Sequence, residues 1–247
     1  MPVQRERLRA ALSSPAGKRR YVRRLFDTIA NRYDLITVAL SYGLDRRWKR
    51  RLVRMADIRA GERALDLACG TGDLLFEAQQ RGASVIGLDI TFQMIRLARR
   101  KQTSQPRRSW FLVGDMVQLP FPSRSFELIT TGYGLRSVPD LEEALAEIFR
   151  VLKPGGRMLS LDFNRPAHRL TWLLYYAYLT CVGSILGALL HGDPDTYRYI
   201  PESIRTYVGA EGVSRRMREC GFDQVSITPL LGGLMAINYG SKPAEWH

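Results

Sequence analysis

Three short segments hold side chains that converge on one chemistry. Gly70-Thr71-Gly72 follows an apolar run, and its glycines let a backbone turn tightly beside a ligand. Asp89 closes the next apolar run, 17 residues after Gly72. A carboxylate at that place accepts hydrogen bonds from both hydroxyls of a ribose. Asp115 closes a third run, where it can take the amino group of an adenine. Glycine turn, ribose carboxylate and base carboxylate together describe a site for an adenosine.

The same residues narrow the cofactor. A dinucleotide fingerprint places glycine three residues after the second glycine of the turn, and Leu75 stands there. Asp73 puts negative charge where a phosphate would sit. The chain has no GxxxxGK[ST] segment, which excludes a P-loop. A phosphate-free adenosine with a positive centre fits best, and S-adenosylmethionine is that molecule.

Alternating elements must position these groups. Residues 63–69, 84–89, 110–115, 126–131 and 157–163 read as buried strands. Helices separate most of them: one from Asp73 to Arg81 stopped by Gly82, one after Thr91, and one opened by Asp140 and ending near Leu152. This order predicts an α/β fold: a mostly parallel, Rossmann-like sheet with helices on both faces. Ligands then bind at the carboxyl ends of the strands. A helix from about Val213 to Gly221 and two strands, 224–229 and 234–239, end the pattern as an antiparallel hairpin. The expected division is a basic N-terminal arm, 1–24, and a single domain, 25–247. Residues 164–212 form a helical insertion on the substrate side, between strands 5 and 6.

Composition sets the limits. The 247 residues are 45% hydrophobic and 25% charged, an ordinary globular mixture. Three distant cysteines and three histidines give neither a disulfide framework nor a metal site, and fit a reducing compartment. The net charge is +13, and twenty of 37 basic residues fall in segments 1–24, 46–54 and 96–108. Such clusters suit an anionic membrane or a nucleic acid. Leu170 to Leu190 carries no charge. Gly183 and Gly187 give it the GxxxG spacing of paired membrane helices. Its place between strands of one sheet argues for a buried or interfacial helix, since a span would strand the final hairpin across the bilayer.

ALDLACGTGD (64–73), VIGLDI (85–90), GDMVQLPFPSRSFELIT (114–130) and RVLKPGGRMLSLDF (150–163) resemble the class I S-adenosylmethionine-dependent methyltransferases. LFDTIANRYDLIT (25–37), LSYGLDRRWKR (40–50), TTGYGLRSVPDLEEAL (130–145) and GDPDTYRYIPESIR (192–205) are similar to the quinone-biosynthesis C-methyltransferases. The resemblance implies a ring C-methylation of a polyprenyl quinol, either demethylmenaquinol or a ubiquinol precursor. It implies cofactor contacts at Gly70, Thr71, Gly72, Asp89, Asp115, Met116 and Gly132. Gly132 offers only backbone where some relatives carry Ser. Ser137 replaces the usual Asn, and the proline that commonly follows the SIR motif is missing after Arg205. Tyr33 and Arg136 are the candidate catalytic residues, with His191, Asp195 and Tyr197 behind them. Arg136 can hold a phenolate, but as an arginine it rarely gives up its proton. A competing reading is a class I methyltransferase for another phenolic lipid or for RNA, and another is a membrane-binding module that keeps the fold. The expected setting is cytoplasmic, with peripheral contact to anionic membrane, a lipophilic polyprenyl quinol substrate, a homodimer and no nucleic-acid partner.

Overall fold

A computed structural model describes residues 14–103, 108–166 and 168–244. Arg5, Arg7, Arg9, Arg107 and His247 lie outside the described residues. Seven strands form one sheet: β1 Arg63–Leu67, β2 Ser84–Asp89, β3 Trp110–Val113, β4 Phe126–Gly132, β5 Leu152–Phe163, β6 Asp223–Leu230 and β7 Met235–Ser241. Their order is β3-β2-β1-β4-β5-β7-β6. Pairings among β1 to β5 are parallel, and β7 runs antiparallel to both β5 and β6. The strand order reverses between β1 and β4, which opens a crevice at their carboxyl ends.

Both faces of the sheet are covered. On β1, Leu65 and Leu67 join Ile129 and Met158 beneath helices α6 (Leu141–Val151) and α9 (Gly209–Glu219). Ala64 faces the other way, with Leu128 and Leu159, under α3 (Asp45–Met55) and α4 (Asp73–Gln80). This period-two division follows from the pleat. Helix α5 (Phe92–Gln102) connects β2 to β3. Gly82 ends α4 at φ +98°, and Asp140 caps α6 by accepting the N–H groups of Glu142 and Glu143.

Several boundaries differ from the sequence reading. The division at 24/25 falls inside α1 (Pro15–Ile29), capped by Ser14 and buried through Val22, Leu25 and Ile29. Residues 15–24 are therefore helix packed on the domain, because the apolar face continues across the basic run. Strand β1 ends at Leu67, where Ala68 turns to φ +49°. Helix α9 starts at Gly209. After α1, a 3-10 turn leads into α2 (Tyr33–Leu40). The insertion holds α7 (Arg169–His191) and α8 (Tyr199–Thr206). After it the chain returns to the same sheet, with Phe163 opposite Met235.

Candidate functional site

The carboxyl ends of β1, β2 and β4 meet around a cavity of about 650 Å³, including its open mouth. Gly70, at φ +54°, presents its N–H to Asp89 Oδ2 at 2.9 Å. The other oxygen of Asp89 accepts the N–H of Thr91 at 2.9 Å. Each carboxylate oxygen keeps a lone pair for a ligand. Burial pushes the Asp89 carboxyl up to about 6, and the two N–H groups oppose that rise. Thr91 occupies the N-cap position of α5, but its side chain makes no capping bond.

Asp115 stands across the cavity and accepts the N–H of Val117 at 3.1 Å. Leu88, Ile90, Met94, Met116 and Val138 supply an apolar wall between the carboxylates. Gly132 lines the cavity with backbone alone. At Gly134 a Cβ would run into Thr131 Oγ1, so a side chain there would disturb the strand end.

Two anticipated cofactor residues stand behind the cavity. Thr71 donates its hydroxyl to Asp34 Oδ1 at 2.6 Å, and Gly72, at φ +91°, packs on the ring of Phe76. Thr71 belongs to a polar chain, buried at Asp45 and Lys49 and reaching the surface at Asp34, that ties four helices to the glycine turn. Tyr133 donates to Asp45 at 2.7 Å, and Lys49 bridges Asp45 at 2.7 Å and Asp73 at 3.0 Å. Lys101 joins Asp73 to Asp34. Burial would raise the Asp73 carboxyl, but the two lysines outweigh it and hold it at about 2. The Asp73 charge is thus spent inside the protein.

A second cavity of about 570 Å³ adjoins the first. Phe26, Tyr33 and Tyr133 wall both. Its lining is aliphatic and aromatic apart from Thr37, Ser41 and Arg136, and among the described residues Arg136 is the one charged member. Arg136 is 4% exposed. Its Nε faces Asp162 Oδ1 at 3.4 Å, its backbone N–H donates to Asp162 Oδ2 at 3.1 Å, and its guanidinium donates to Ser203. It also lies 5.1 Å over the ring of Phe163 and 5.6 Å over Tyr199. Asp162 is its counter-ion. Burial raises the Asp162 carboxyl and Arg136 opposes that.

Tyr33 reaches the shared wall, and burial pushes its phenol up to about 12. At neutral pH it is a donor rather than a base. His191 pairs with the Tyr197 hydroxyl at 2.7 Å, and Asp195 pairs with Arg198 at 2.8 Å. Of these, Tyr197 alone lines the second cavity. Sequence reasoning missed Arg19, whose Nε lies 2.6 Å from Asp115 Oδ2 and which lines the first cavity. It also missed Tyr133, held at φ +61° between the cavities. The segment 130–145 marked the neighbourhood of Tyr133, but no local signal marked Arg19.

The donor set suits an adenosine without phosphates. Two buried carboxylates match a ribose diol and an adenine amine, and Arg19, the one lining cation among the described residues, is already paired. The sheet order, the glycine turn and the strand-end carboxylates define a class I S-adenosylmethionine-dependent methyltransferase. The fold is shared with a Thermotoga maritima S-adenosylmethionine-dependent methyltransferase: 17% identity, 90% of this chain and 99% of that one, TM-score 0.61. It is also shared with Haemonchus contortus phosphoethanolamine N-methyltransferase 2 bound to S-adenosylhomocysteine: 14% identity, 90% and 60% coverage, TM-score 0.62. Residues 15–242 match the ubiE/COQ5 methyltransferase family, and the chain belongs to it. It is 41% identical over 221 residues to the demethylmenaquinone methyltransferase of Thermus thermophilus, covering 89% of this chain and all of that one. It is 37% identical to the ubiquinone/menaquinone biosynthesis C-methyltransferase UbiE of Azotobacter vinelandii, covering 92% and 91%.

Proposed function

We propose that this enzyme methylates a ring carbon of a polyprenyl quinol in respiratory quinone biosynthesis. The carrying observation is the common wall: Phe26, Tyr33 and Tyr133 line both the cofactor cavity and a largely apolar second cavity. S-adenosylmethionine, when bound, supplies an electrophilic methyl carbon. Asp89 and Asp115 fix its adenosine at the ends of β2 and β3. Phe26, Tyr133 and Phe163 confine a flat ring beside it and keep water out, so that orientation lowers the barrier. Arg136 stabilises negative charge on a ring oxygen, which makes the ring carbon a stronger nucleophile. Asp162 and Ser203 hold its guanidinium in place. The names of the Thermus and Azotobacter relatives support this substrate class.

The test is an anaerobic incubation with S-adenosylmethionine and chemically reduced quinols. Demethylmenaquinol and a demethoxylated benzoquinol run in parallel, and mass spectrometry reads the product. A ring-methylated product from either supports the reading and assigns the ring type. Retained cofactor binding with no methylation of either rejects it.

A further inference from the structure

Helix α7 turns much of its apolar surface to solvent. Leu170, Leu173, Leu174, Ile185 and Leu189 are 57–77% exposed. With Ala177 and Cys181, also exposed, they form a stripe at three- and four-residue spacing along the helix. At 1.5 Å per residue the stripe is about 30 Å long. The opposite face packs inward through Tyr175, Leu179, Gly183 and Gly187. The GxxxG pair serves this packing: Gly187 lies against the backbone of Asp193 and Pro194, and Gly183 against Tyr197.

Helix α2 extends the apolar surface. Leu35 and Val38 face outward, while Ile36 and Leu40 line the second cavity. Tyr42, just beyond α2, stacks on Tyr178 of α7 at 4.7 Å. Next along the chain, Arg46, Arg47, Arg50, Arg51 and Arg54 of α3 are exposed, with no carboxylate partner among the described residues. Arg47, Arg51 and Arg54 share a cleft with Leu44 and Leu231. At the start of α7, Arg165 and Arg169 are exposed as well.

We propose that this surface docks the enzyme on an anionic lipid bilayer. Helices α7 and α2 lie in the interface plane with their apolar stripe among the acyl chains, and the arginines meet lipid phosphates. The second cavity then opens beside α2 onto lipid, where a prenyl tail stays while the ring enters. This rests on the quinol reading for the tail, but the docking stands on the surface itself. A nucleic acid would match the arginines and leave the apolar stripe in water.

Vesicle flotation of the full chain tests it, with phosphatidylcholine alone and with added phosphatidylglycerol. The wild type is expected to float with the anionic vesicles and to release as salt rises. L173E/L174E should lose flotation. R47E/R51E should lower partitioning roughly fivefold or more per charge. All four residues are exposed, and thermal melts confirm that each variant is folded. Both variants should methylate a short-tailed soluble quinol at the wild-type rate but a long-tailed quinol in vesicles more slowly. Wild type that stays unbound, or variants that float unchanged, overturns the docking. So does RNA retention that displaces vesicles and is lost in R47E/R51E. Flotation without methylation of any quinol upholds the docking and rejects the substrate reading alone.

Discussion

Arg19 Nε lies 2.6 Å from Asp115 Oδ2, so helix α1 is latched to a carboxylate of the cofactor cavity. Arg19 is half-exposed at its side chain, whereas Asp115 is buried. Val22 and Phe26 of the same helix line the cavity behind the latch. An adenine amine and Arg19 therefore compete for one acceptor. Arg19→Ala frees Asp115 and unpins α1. Association and dissociation rates of S-adenosylmethionine should both rise severalfold, read by stopped-flow fluorescence. Unchanged rates in both directions would show that α1 does not gate the site.

Asp89→Ala should weaken cofactor binding by roughly 10- to 100-fold, the range for a lost hydrogen bond to a charged group. The melting temperature is a poor reporter, because burial holds the folded carboxyl at about 6, above the ordinary 3.8 of an exposed aspartate. A carboxyl raised on folding is disfavoured in its charged form. From this group the apo protein gains stability as pH falls from about 6 toward 4. Cofactor affinity moves the other way, because protonation removes an acceptor for the ribose. Calorimetry between pH 5 and 8 should find affinity falling below about pH 6 in the wild type, and a flatter profile in Asp89→Asn.

Asp89 and Asp115 were legible because each closes an apolar run, Asp89 ending β2 and Asp115 lying just past β3, and residues at those ends face the crevice. Arg19 was not, because its partner lies far along the chain and a basic run reads the same as a free arm or a latch. Thr71 was legible as part of the glycine turn, but its hydroxyl turns away because Asp34, from α2, supplies an acceptor behind it. The uncharged run 170–190 announced a helix and concealed its orientation. Leucines facing lipid and leucines facing a core have the same composition, and only the packing of Tyr175, Leu179, Gly183 and Gly187 separates the faces.

Arg136 carries structure and chemistry together, and two substitutions separate them. Arg136→Ala leaves the buried Asp162 without its counter-ion and should destabilise the fold by about 3–5 kcal/mol. Arg136→Lys keeps the charge but loses the planar fork that reaches Asp162 and Ser203 together. It should stay folded, with kcat about tenfold or more lower and cofactor affinity unchanged. Tyr33→Phe is the companion. With its phenol pushed up to about 12 by burial, Tyr33 cannot act as the base near neutrality. Its loss should leave the shape of the pH–rate profile intact. A missing limb in that profile would return Tyr33 to the role of base.

Gly187→Ala distinguishes internal packing from helix pairing. A Cβ at Gly187 would collide with the backbone oxygen of Asp193 and approach Pro194 at 3.2 Å. Backbone on both sides leaves no flexible side chain to yield, so the loop leading to Tyr197 must shift. Overpacking of this kind costs about 1–3 kcal/mol, which for a chain of this size lowers Tm by roughly 2–12 °C. Tyr197 and Tyr199 wall the second cavity just beyond that loop. The quinol KM should therefore rise while the affinity for S-adenosylmethionine holds. Were the glycines a dimer seam instead, the substitution would shift the sedimentation coefficient in detergent and leave KM alone.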